Sequence, residues 1–251
     1  MMELIDKNNM AVCALQQGKS EKALHLLSTA LTILKEQYAR RATTTETPCL
    51  RRQPLCCVHE EEEESAIEIE PDRSADDHDD EWSLCVDMEE DDETVPSVFS
   101  VARGDIYSNS DGLVLNYNKA LMVLQNLTDL DVLTSIVLYN MGIVNHGQAI
   151  ERGSSSLLTT ALKFYKMATN VIQGKQEIDK AGDFVLLVSF HNMAHIHSSR
   201  FCPEEMRGCF DATRLLLTQD STHLFLDEDD LSFFSMSSLL EVKDIRSAPA
   251  A

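Results

Sequence analysis

The chain has 251 residues, 43% of them hydrophobic and only 6% aromatic, with Gly 9 and Pro 6, which excludes collagen-like, mucin-like and wholly disordered chains. Its formal charge is −21, yet 19 of the 42 acidic residues lie between Glu60 and Glu93 against a single base, Arg73. The rest of the chain is therefore near neutral, and no basic face suited to phosphate is in view, so a nucleic-acid partner is not expected.

No apolar stretch approaches the length of a bilayer span. The start, Met1-Met2-Glu3-Leu4-Ile5-Asp6-Lys7, lacks the basic-then-apolar plan of a secretory signal. The expectation is no membrane partner and a cytoplasmic or nuclear location, not secretion. Seven cysteines at uneven spacing fit reduced thiols better than a disulfide framework or a zinc site.

In chain order, residues 1–42 form a first helical hairpin. A helix over Asn8–Gln17 is followed by the turn Gly18-Lys19-Ser20 and a second helix from Glu21, with Ala23, Leu27 and Ala30 on one face. Residues 43–95 are an acidic insertion whose like-charge blocks disfavour packing, so disorder is expected there. Residues 96–223 carry the remaining helical repeats. A lone second-helix pattern runs through Tyr117, Ala120, Leu121 and Leu124. Next come a helix over Ile136–Gln148, an enlarged turn at Gly153-Ser154-Ser155-Ser156, and a helix marked by Ala161, Tyr165 and Ala168 that ends at Gly174. A third pair follows, Phe184–Ser199 and then a helix opened by Pro203, with Met206, Phe210 and Thr213 on one face. Residues 224–251 are a capping segment and a frayed tail, burial being favoured for Phe233 and Phe234 because two exposed neighbouring rings make an adhesive patch.

The internal similarity is the most informative feature. Asn9-Met10-Ala11, Asn140-Met141-Gly142 and Asn192-Met193-Ala194 each sit in the first helix of a pair. A small residue there, with another in the second helix, lets two helices approach closely. If the copies are equivalent, Met10, Met141 and Met193 should have like surroundings.

With Ala11, Ala14, Gly18, Ala23, Leu27 and Ala30 in the first copy, the chain resembles the tetratricopeptide repeat in degenerate form. It departs from the family by lacking an early aromatic in the first helices, by Thr213 in place of the last alanine, and by the long second loop. The resemblance implies an all-α fold of antiparallel helical hairpins stacked as a right-handed superhelix. It also implies a groove lined by one side of each first helix, at Val12, Tyr139, Ile143, His146, His191 and His195 among others. Those positions include no Lys or Arg, so gripping of a terminal carboxylate, as in certain members of the family, is not expected. The surface suits an amphipathic helix or an extended peptide, unless the chain's own C-terminal segment covers it.

His191 and His195 are one helical turn apart, as two metal ligands would be, with His146 a candidate third neighbour. The preferred reading is that these imidazoles line the groove or bond to neighbouring backbone, with no metal and no cofactor. Gly18-Lys19-Ser20 lacks the upstream glycine of a phosphate loop, and no nucleophile or dinucleotide motif is present. A non-catalytic scaffold or adaptor that binds a protein or peptide is the expected function. The alternative is an acidic regulatory protein whose linker binds basic proteins or the transcription machinery.

Overall fold

Three successive helical hairpins are defined by how their first helices end. In this computed structural model α1 spans Met2–Gln16 and α2 Ser20–Thr44, α3 Leu130–Arg152 and α4 Ser155–Gln173, α5 Lys180–Ser199 and α6 Pro203–Leu217. After α1 the N–H of Lys19 donates to the carbonyl of Ala14 and that of Gly18 to Leu15. After α3 the same two bonds run from Ser154 to Ala149 and from Gly153 to Ile150, and after α5 from Cys202 to His197 and from Phe201 to Ser198. This paired closure needs a left-handed residue just past the helix, and Gly18, Gly153 and Phe201 take φ of 73°, 61° and 56°. Glycine pays no Cβ penalty there; Phe201 does.

The left-handed residue stands nine positions after the asparagine in the first and third copies (Asn9 to Gly18, Asn192 to Phe201) but thirteen after it in the second (Asn140 to Gly153). The extra length of the second copy is thus not an enlarged turn. One added turn extends α3 and the remainder lengthens the start of α4, which keeps the facing surfaces in register because whole turns return side chains to the same face. Ser154 caps α4 by accepting from the N–H of Leu157 at 3.4 Å, and Asp129 caps α3 by accepting from Asp131 and Val132. The same carboxylate pairs with Lys175.

Each helix packs on the next in the chain from α1 to α2 and from α3 through to α6, α2 also touches α3, and among the first helices α3 neighbours both α1 and α5. Ala11, Ala23, Ala161 and Ala168 are buried between them. Gly142 marks the closest approach: a Cβ there would lie 2.5 Å from the ring of Tyr165.

The described residues are 1–44, 98–102, 116–124, 127–175, 177–218 and 226–235. The helix α2 runs through Thr43 and Thr44, and the rest of the 43–95 insertion, with its expected disorder, lies outside them. Among the described residues no helix is long and apolar enough to cross a membrane.

The protein is mostly helical, with one addition that the sequence pattern misassigned. Tyr117, Ala120, Leu121 and Leu124 do not mark a helix. Strand β2 (Lys119–Val123) pairs antiparallel with β1 (Val98–Ala102), with Leu121 opposite Ser100 and Val123 opposite Val98. The spacing is compatible with a helix and Lys119-Ala120-Leu121-Met122 have good helix propensity, but tertiary bonding to the helices overrides that preference. Residues 228–235 form a last helix, α7. Leu226 and Phe234 are buried in the common core and Phe233 is half-buried against it; residues 236–251, including the expected frayed tail, lie outside the described set.

Candidate functional site

The face built by α1, α3 and α5 carries the three repeated asparagines, and each is engaged with the main chain of one extended segment. Asn192 accepts the N–H of Tyr117 at 3.0 Å and donates to its carbonyl at 2.9 Å. Asn140 does the same with Leu121, at 2.8 Å both ways. Asn9 does so with Val123, accepting at 2.9 Å and donating at 2.7 Å. Asn8 adds a second donor to the carbonyl of Leu121 at 3.1 Å and accepts from Asn140 at 2.9 Å. The carbonyl of Lys119, between these positions, accepts from the Tyr139 hydroxyl at 3.0 Å.

Alternate residues of a strand turn their main-chain groups to opposite edges. Residues 117, 119, 121 and 123 therefore address the helices, while Ala120 and Met122 address β1 opposite Val101 and Phe99. The segment runs against the repeat order: the third hairpin holds its beginning and the first holds its end. Asn8, Asn140 and Asn192 are buried, where an unpartnered amide would be costly. Here both the amides and the strand edge are satisfied together.

Behind the asparagines lies a connected chain of polar side chains. Asn192 Nδ2 also reaches the hydroxyls of Tyr139 and Tyr165, at 3.4 Å each. Tyr165 Oη is 3.3 Å from His146 Nδ1, and His146 Nε2 is 3.0 Å from His195 Nδ1. His146 thus bridges Tyr165 and His195 through its two ring nitrogens, one donating and the other accepting in a neutral ring. Burial pushes His195 down to about 4. Burial, and then repulsion from His195, hold His146 well below the usual imidazole range. Both rings are therefore neutral at pH 7, and burial likewise keeps Tyr139 and Tyr165 protonated.

The C-terminal segment closes over the start of the strand. Asp227 caps α7 by accepting from the N–H of Asp230 at 2.7 Å. Lys119 Nζ lies 2.7 Å from Asp230 and 3.1 Å from Asp227, with the Asp230 side chain only 2% exposed. Burial opposes the Lys119 charge, but the bonds to Asp230 and Asp227 outweigh it and raise its pKa. Tyr117 stacks on Phe234 with ring centroids 5.0 Å apart and tilts against Phe233 at 5.5 Å. Both phenylalanines also meet His191, at 5.0 and 5.1 Å.

The expected groove residues lie on the first helices α1, α3 and α5, and none of them is exposed. Val12, Tyr139, Ile143, His146, His191 and His195 are all buried; Tyr139 bonds to the carbonyl of Lys119, and His191 lies against Phe233 and Phe234. His146 and His195 come together as a bonded pair. The ring of His191 instead meets Phe210, Phe233 and Phe234. Among the described residues no group of three or more His, Cys, Asp or Glu could hold a metal ion. The methionines are not equivalent: Met10 is 50% exposed while Met141 and Met193 are buried. Helices α3 and α5 have preceding hairpins against them, whereas α1 has none. The equivalence lies in the asparagines of the repeated tripeptide, Asn9, Asn140 and Asn192, each bonded to the strand. Comparison with family models, curated proteins and solved structures finds no match.

Proposed function

We propose that this chain is a non-catalytic protein-binding module of the tetratricopeptide type, stacked as a superhelix, whose first helices hold a peptide in extended form. The observation that carries this reading is the row of one asparagine per hairpin, each bonded both ways to the main chain of a single strand. Such bonds draw affinity from backbone that every sequence possesses, as in strand-addition recognition. The histidines of this face are occupied with each other, Tyr165 and aromatic rings, which suits a holding surface rather than a reacting one. The partner is a protein segment.

The test is selection of displayed peptides against the full chain and, since residues 117–123 already occupy the face, against a Lys119→Glu chain that has lost an anchor of that strand. Support is enrichment of peptides whose affinity falls about tenfold in Asn192→Ala with helicity unchanged, the scale of one charge-free two-bond contact. If neither chain enriches a peptide that depends on Asn192, the reading is wrong.

A further inference from the structure

We propose that residues 117–123 are a resident occupant of this face, latched by residues 226–235, and that a partner segment with an aromatic residue two positions before a lysine displaces them. This rests on the peptide-binding reading above and supplies the specificity that main-chain bonds lack.

Two side chains of the resident strand are read individually. Tyr117 is received by Phe233 and Phe234, a box of faces and edges favourable to any aromatic ring. Lys119 is received by two carboxylates, of which Asp230 is withdrawn from solvent; a buried carboxylate aimed at one strand position selects a cation there and rejects an anion. Both receiving groups belong to one short stretch, and Asp227 serves at once as the cap of α7 and as a ligand of Lys119. Ordering of the latch and recognition of the strand are therefore one event.

The strand's own sequence does not demand extension. Lys119, Ala120, Leu121 and Met122 favour a helix when free, so the face imposes the extended form and the segment has another conformation available on release. Being tethered, it competes at an effective concentration on the millimolar scale, and an incoming peptide's apparent affinity falls by the fraction of faces that are vacant.

The experiment titrates a fluorescently labelled peptide of residues 115–124 into the full chain and into the Lys119→Glu chain, whose resident strand meets Asp227 and Asp230 with the wrong charge. The peptide should bind the variant about tenfold more tightly than the wild type, as removal of a tethered competitor requires. A peptide copy carrying Lys119→Glu should lose about tenfold on either chain. Should Lys119→Glu lack a cooperative melt, Tyr117→Ala serves in its place, since the peptide brings its own tyrosine. Equal affinity for wild type and variant, still dependent on Asn192, overturns resident occupancy and leaves peptide binding standing. Equal binding of the charge-reversed peptide overturns the specificity, and no binding to any chain removes the peptide-binding reading itself.

Discussion

Asn140 and Leu121 exchange two hydrogen bonds of 2.8 Å, the side-chain amide of one matching the main-chain N–H and C=O of the other. The arrangement makes a helix face behave as a strand edge. Removing the amide strands the buried N–H of Leu121, while its carbonyl keeps Asn8. Asn140→Ala should therefore destabilise the fold by about 2–3 kcal/mol, an unpaired buried donor plus a lost bond. Asn9→Ala, at a less buried position, should cost about 1 kcal/mol. Urea denaturation of both variants checks the order.

Gly142 is fixed by Tyr165 rather than by a turn. A Cβ would meet ring carbons at 2.5 and 2.7 Å, and the ring cannot swing away without abandoning His146 and Asn192. Gly142→Ala should cost about 1–3 kcal/mol, the usual scale of overpacking. In a Tyr165→Leu background the same substitution should cost less. A double-mutant cycle in denaturant with no coupling between the two sites would contradict this packing account.

The His146–His195 pair makes stability depend on pH with a definite sign. Folding holds both pKa values below the usual imidazole value of 6.5, His195 at about 4. Between those pH values the unfolded chain binds protons that the folded chain refuses. Their contribution is complete above about pH 6.5 and is lost as pH falls toward 4, at no more than roughly 1.4 kcal/mol per pH unit for each ring. Equilibrium unfolding at pH 7, 6 and 5 should show the decline, and His195→Asn should flatten it by about half over that window.

Phe201 is 92% exposed and takes φ of 56° at the end of α5, where the first two hairpins use glycine. Phe201→Gly should raise stability by about 1 kcal/mol by removing left-handed strain, visible as a higher melting temperature. Unchanged or lower stability would show that the unfolded chain's gain in freedom outweighs the relief.

The helical hairpins were legible because their signals are local. Gly18, Gly153 and Pro203 mark ends and starts through backbone geometry that neighbours barely alter. Ala23, Ala161 and Ala168 mark the close faces through periodicity. Phe201 carries no such local signal, because its left-handed turn is imposed by main-chain bonds, with no glycine to announce it. The histidines were assigned to the right helices, but which two would meet depends on how α3 and α5 lie together.

By itself the sequence determined three amphipathic helix pairs, their small-residue contacts and the recurring asparagines, since propensity, capping and spacing act over a few residues. Only the tertiary structure decided that Tyr117–Val123 is extended, that the asparagines close on it and that Lys119 finds Asp230. Those choices pit modest helix propensity against bonds from residues up to 114 positions away, and a buried face whose amides must all find partners settles the contest for the strand.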